Sequence, residues 1–121
     1  MDVAALIMAG GKGARMGLHE EKPMIPVGGV PMIGRVINCL RGVEKIGMIV
    51  VAVSPHTPKT SAKAKELQVE VVETAGLGYG QDAKQAIKKL KPRTILEVCA
   101  DLPILRSRTI DEILRRFEVC G

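Results

Sequence analysis

Aromatic residues are almost missing from this chain of 121 residues, which has no Trp, one Tyr and one Phe. Proteins that bind single-stranded nucleic acid stack its bases on several aromatic rings. Tyr79 and Phe117 alone cannot do this, so the net charge of +5 is not read as a nucleic-acid footprint, and an anionic small molecule fits it better. Cysteine is scarce as well. Cys39, Cys99 and Cys120 are far apart and form no Cys-x-x-Cys pair. Their odd number argues against a disulfide framework or a zinc site, and each is expected to be a reduced, small core residue. No apolar run approaches the roughly 20 residues of a membrane span. No basic-then-apolar leader opens the chain, since Asp2 comes first. A cytoplasmic protein without a membrane partner is expected. Repeats, low-complexity tracts and linkers are also lacking, so residues 1–121 are expected to form a single domain.

Glycine is what the chain does have, 13 residues of it. The densest cluster follows an apolar run that begins near Val3 and suits a buried strand. Ala-Leu-Ile-Met-Ala-Gly-Gly-Lys-Gly-Ala-Arg-Met-Gly spans 5–17 and sets Lys12 and Arg15 among Gly10, Gly11, Gly13 and Gly17. Such a backbone turns successive N–H groups inward as an anion nest, and two cations beside it suit a polyphosphate. The same glycines also suit a tight strand-turn-helix connection with solvated charges. A P-loop is excluded, because no Gly-Lys-Ser or Gly-Lys-Thr occurs. A dinucleotide fingerprint fails too, with Gly17 one residue late and Ser54-Pro55 where an acid belongs.

Further along, Lys22-Pro23-Met24-Ile25-Pro26-Val27 holds too much proline for a helix and leads to a turn at Gly28-Gly29. Pro31 suits a first helical position. Met32, Ile33, Val36, Ile37 and Leu40 then give an apolar stripe ending near Gly42. Residues 48–53 read as a strand buried on both faces. Residues 54–60 lead into a polar helix over 58–67, and 69–72 form a third strand. A second glycine-rich loop, 74–80, feeds a helix over 81–90. Residues 94–98 form a fourth strand, Asp101-Leu102-Pro103 follows it, and a helix over 109–119 closes the chain. This alternation predicts an α/β fold with a mainly parallel sheet and helices on both faces. Ligands in such folds sit at the carboxyl ends of the strands. The first glycine loop, Ser54, Glu73-Thr74 and Asp101 all fall at such ends.

Several residues there are fit for chemistry. Asp101 ends an apolar strand, where a carboxylate can hold Mg²⁺, although an aspartate before Leu-Pro also suits a turn or helix cap. Lys22 returns just after the glycine loop, and the alternative is a solvated surface lysine. Arg15 can stabilise charge on an α-phosphate or on departing pyrophosphate. His56 is read as a loop residue. Tyr79 suits packing on a ligand as well as a capping or packing role.

The run Leu-Ile-Met-Ala-Gly-Gly-Lys-Gly-x-Arg-Met-Gly, followed by Glu21-Lys22-Pro23, resembles the signature of nucleotidyltransferases that move a nucleoside monophosphate onto a phosphate acceptor. Ser54-Pro55-His56-Thr57-Pro58-Lys59-Thr60, Glu73-Thr74-Ala75-Gly76-Leu77-Gly78-Tyr79 and Ala100-Asp101-Leu102 narrow the resemblance. Together they look like the archaeal-type adenosylcobinamide-phosphate guanylyltransferases, relatives of the molybdenum-cofactor guanylyltransferases. The resemblance implies a Rossmann-like nucleotidyltransferase fold and transfer of GMP from GTP onto adenosylcobinamide phosphate, with Mg²⁺ as cofactor. A molybdopterin or sugar-phosphate acceptor, or a non-catalytic nucleotide-binding module, is the alternative. It also implies site residues. Arg15, Lys22 and Asp101 would be catalytic, with Asp101 the metal ligand. Leu6, Ala9, Gly10, Gly11, Lys12 and Gly13 would bind nucleotide together with Arg15 and Lys22. Ser54, Glu73, Thr74, Gly78 and Asp101 would complete that set. Glu73 would face guanine, whose adjacent N1–H and N2–H donors suit a carboxylate, though a strand-end surface charge is an equal reading. The family pattern runs on beyond a helix like 109–119, so its C-terminal part is expected to be missing here. The open flank predicts a homo-oligomer.

Overall fold

Val3–Met8 form strand β1, and every one of its six residues is buried. A strand so apolar on both faces belongs in the middle of a parallel sheet covered on two sides. A computed structural model describes residues 3–11, 21–90 and 94–100. In it β1 is flanked by β4, Ile46–Val53, and β6, Thr94–Cys99, both parallel to it. Strand β5, Glu70–Glu73, adds in parallel to β4, and the order is β5-β4-β1-β6. The helix expected over 109–119 and the loop core 12–20 lie outside the described residues.

Between β1 and β4 lies the proline-rich segment. It forms a 3-10 turn at Lys22–Met24 and then a small hairpin of β2, Pro26–Val27, and β3, Val30–Pro31. Gly28 and Gly29 make the turn with φ of +60° and +82°, a left-handed pair that fits the twist of a two-residue hairpin. The sequence reading expected the turn but not the two strands. Arg35 fastens the hairpin by donating to the Val27 and Gly28 carbonyls.

Helix α1, Met32–Arg41, follows directly and buries Ile33, Val36, Ile37 and Leu40. They pack on Val3, Ala5 and Ile7 of β1 and on Val51 and Val53 of β4, with Ala64 of α2, Pro58–Glu66, alongside. Alternation sends Leu6 and Met8 to the other face, where they meet Val50, Ala52 and helix α3, Tyr79–Leu90, through Ala83 and Ala86. Helices therefore cover both faces, as the alternating pattern predicts. Burying each Ile, Leu or Val side chain is worth about 1.5–3 kcal/mol, so among the described residues the α1 face holds more of the apolar driving force than the α3 face.

The register brings the strand ends to one edge. Met8 lies opposite both Ala52 and Cys99, and Val53 lies opposite Glu73. Ladder hydrogen bonds run one step further, from Ala9 N–H to the Ala52 carbonyl (2.9 Å), Ala100 N–H to Met8 (3.2 Å) and Thr74 N–H to Val53 (2.8 Å). Every loop that leaves this edge starts from a fixed backbone.

Candidate functional site

A cavity of about 620 Å³ opens at the carboxyl ends of β1 and β6. Met8, Ala9, Gly10 and Gly11 form one wall, and Cys99 and Ala100 lie beside them. Gly76, Leu77, Gly78 and Tyr79 face them from the second glycine loop, with Asp82 behind, while Lys22 and Pro23 close a side. Of the expected nucleotide-binding residues, Ala9, Gly10, Gly11, Lys22 and Gly78 thus gather on one cavity. Ser54, Glu73 and Thr74 do not. They line a smaller neighbouring cavity of about 280 Å³ with Pro55, Pro58 and Ser61. Leu6 is wholly buried in the core under α3. Lys12, Gly13, Arg15 and Asp101 lie outside the described residues.

Side-chain bonds hold the loops in place. The buried Ser54 hydroxyl donates to the Gly10 carbonyl (2.6 Å) and accepts from His56 N–H (3.1 Å). Ser54 N–H itself donates to the Thr57 hydroxyl (3.2 Å). His56, expected as a plain loop residue, reaches across to the Gly76 carbonyl, 3.2 Å from its Nε2. Gly76 has φ of +76°, and a Cβ there would sit 2.7 Å from the His56 ring, so any other residue would be strained and would have to displace that ring. Asp82, 4% exposed, accepts from Gly76 N–H (3.0 Å) and Leu77 N–H (3.2 Å) through Oδ1. Gln85 accepts from Ala75 N–H (2.9 Å). The first turns of α3 thereby fix the second glycine loop as a capping carboxylate fixes a helix start.

Tyr79 stands half exposed at the mouth and donates to Glu97 of β6 (2.7 Å). That bond, then partial burial and the nearby Cys99 and Glu97 charges, raises the phenol well above its ordinary pKa. The ring keeps its proton and its place. Cys99 departs from the expectation of a plain core thiol, being half-buried and on the cavity lining, whereas Cys39 packs against the α1 core. Cys120 lies outside the described residues.

Among the described residues no three His, Cys, Asp or Glu side chains group to hold a metal. Asp82 and Glu97, both beside this cavity, already accept hydrogen bonds from Gly76, Leu77 and Tyr79. Mg²⁺ needs no protein cage, since one or two carboxylates with phosphate oxygens and water suffice. Mg²⁺ here would need a further acid beside these residues, together with phosphate oxygens and water. Among the described residues no helix is long and apolar enough to cross a membrane.

A parallel sheet with helices on both faces, and a glycine-walled cavity at its carboxyl edge, defines a Rossmann-like α/β fold, whose members place ligands at that edge. Residues 5–121 match the model of the MobA-like NTP transferase domain, and the chain belongs to that family. It is 40% identical over 118 residues to the adenosylcobinamide-phosphate guanylyltransferase of Methanocaldococcus jannaschii, covering 93% of this chain and 59% of that protein. The chain thus spans less than two thirds of this relative's length. A cytidylyltransferase from Leptospira borgpetersenii shares the fold with a TM-score of 0.82 at 23% identity, over 98% of this chain and 50% of its own. A Mycobacterium tuberculosis protein solved as a manganese complex does so at 0.71 and 15%, over 94% and 58%.

Asp82, Glu21 and the Tyr79–Glu97 pair escaped the sequence reading as organisers of the site. Glu21 accepts from Lys59 N–H (2.9 Å) and Thr60 N–H (2.7 Å), across 38 and 39 residues. No local pattern marks such a partner. Asp82 did carry a signal, an acid in the first turn of a helix after a glycine-rich loop.

Proposed function

We propose that the chain moves GMP from GTP onto adenosylcobinamide phosphate and releases pyrophosphate, a step of cobalamin assembly. The observation that carries this reading is the cavity between the two glycine loops, with Lys22 on its side. The guanylyltransferase relative supports the choice of base and acceptor.

In this reading a phosphate oxygen of the acceptor attacks the α-phosphorus of GTP in line. A new P–O bond forms, the bond from that phosphorus to the bridging oxygen of pyrophosphate breaks, and pyrophosphate leaves with its electron pair. The nucleophile is already an anion, so no general base is required. The protein orients two anions and offsets their repulsion. Gly10 to Arg15 wrap the triphosphate, Lys22 contacts phosphate, and Arg15 meets the charge that develops on the leaving group. Asp101 would hold Mg²⁺, which would supply charge neutralisation on the phosphates. Ser54, Glu73 and Thr74 border the base from the smaller cavity. A charged nucleotide and a phosphorylated small-molecule acceptor are substrates of the cytoplasm, and self-association into a homo-oligomer belongs to the same reading.

Calorimetric titration with GTP, ATP, CTP and UTP in Mg²⁺ tests the nucleotide, and pyrophosphate release on adding cobinamide phosphate tests the transfer. Selective GTP binding with acceptor-dependent release is expected. Binding without base preference, or release with a different phosphate acceptor only, would move the chain to another branch of the nucleotidyltransferases. Absence of binding by any triphosphate would sink the reading.

A further inference from the structure

Helix α2 begins without a cap of its own. Thr57 stands at its N-cap but makes no side-chain capping bond, and its hydroxyl accepts from Ser54 N–H instead. The N–H groups of Lys59 and Thr60, second and third in the helix, would be orphaned there. The Glu21 carboxylate meets both, with Oε2 on Lys59 (2.9 Å) and Oε1 on Thr60 (2.7 Å). A carboxylate at this end is favoured by the helix dipole as well as by the two charge-assisted bonds.

The residue after this cap is Lys22. The Glu21 carbonyl accepts from Met24 N–H (2.9 Å), and the Lys22 carbonyl accepts from Ile25 N–H (3.1 Å), which closes the 3-10 turn. Pro23 is buried within that turn and lines the cavity beside Lys22. Glu21 is thus pinned at both ends, by its side chain to α2 and by its backbone to the turn. The Lys22 stem leaves from a backbone with little freedom to swing away from the cavity.

We propose that Glu21 is a positioning residue for nucleotide binding, acting through Lys22, and that its cap on α2 is the means by which Lys22 is held at the cavity. The inference rests on the nucleotide reading above. Without the anchor, Lys22 must be ordered anew each time a phosphate binds, which costs affinity.

The test is a double-mutant cycle on the chain, read by calorimetry with GTP in Mg²⁺ and by thermal melting. E21A is expected to weaken GTP about tenfold, roughly the worth of one well-placed charged hydrogen bond. The E21A/K22A variant should bind no more weakly than K22A. E21Q, which retains an amide acceptor where one carboxylate oxygen stood, should recover part of the affinity and guards against loss of fold in E21A. Additive losses in the double variant, or unchanged GTP affinity in E21A beside a lowered melting temperature, would overturn the proposal and leave Glu21 a helix cap alone. Failure of the wild-type chain to bind any triphosphate would overturn the nucleotide reading and this proposal together.

Discussion

The Ser54 hydroxyl lies 2.6 Å from the Gly10 carbonyl and donates to it, tying the ends of two neighbouring strands across 44 residues. The same oxygen accepts from His56 N–H, so one buried hydroxyl sets both the first glycine loop and the loop after β4. Ser54→Ala removes both bonds and leaves a carbonyl and an N–H to find new partners. A loss of about 1–3 kcal/mol in stability is expected, together with weaker nucleotide binding. Urea unfolding and calorimetry on the same sample check both.

Gly76→Ala should be more damaging than an exposed loop change. The alanine needs φ of +76° and its Cβ meets the His56 ring at 2.7 Å. About 1–3 kcal/mol of strain is expected. Adding His56→Ala should relieve the steric part and leave the dihedral part, so the double variant is expected to be more stable than the sum of the singles predicts.

Tyr79 is the only tyrosine in the chain, so the ultraviolet titration of tyrosinate reads it alone. Its bond to Glu97 raises the phenol pKa, and absorbance should rise only well above the ordinary value of about 10. Folding then favours the neutral phenol. Its contribution to stability is full below pH of about 10 and fades as the pH climbs through the raised value. Glu97→Ala should bring the titration back toward that of a free tyrosine. An unmoved curve would show that Glu97 is not the cause.

Asp101→Asn is expected to abolish Mg²⁺-dependent pyrophosphate release while circular dichroism stays unchanged. Arg15→Ala should weaken GTP more than guanosine. Unchanged release in the first variant would remove the metal assignment, and equal losses in the second would remove the phosphate contact.

Much of the frame was open to a reader of the sequence, because periodicity reports burial directly. The apolar runs at 3–8 and 46–53 are continuous, and α1 and α3 show their buried stripes at helical spacing. The hairpin was hidden, since Pro26–Val27 and Val30–Pro31 are too short to show any period. Strand ends were also legible as a common edge, but the way loops fold above that edge was not. Ser54 bonds to Gly10, yet with Glu73 and Thr74 it lines a second, smaller cavity, a division that strand ends alone do not reveal. Glu21 looks like a solvated acid in sequence. Its partners are backbone N–H groups 38 and 39 residues away, which every residue but proline carries, and so leave no trace in the letters.

Among the described residues, the two faces of the sheet carry unequal apolar cores. Ile33, Val36, Ile37 and Leu40 bind α1 to one face, whereas α3 is anchored on the other chiefly by Ala83 and Ala86. The second glycine loop hangs from α3 through Asp82 and Gln85. Among the described helices α3 has the smaller apolar hold on the sheet, so its excursions are expected to be cheaper than those of α1 and to carry one wall of the cavity with them. Amide exchange over Tyr79–Leu90 should run ahead of exchange over Met32–Arg41, and bound nucleotide should slow it. Ligand entry and escape would then be timed by the breathing of one alanine-soled helix.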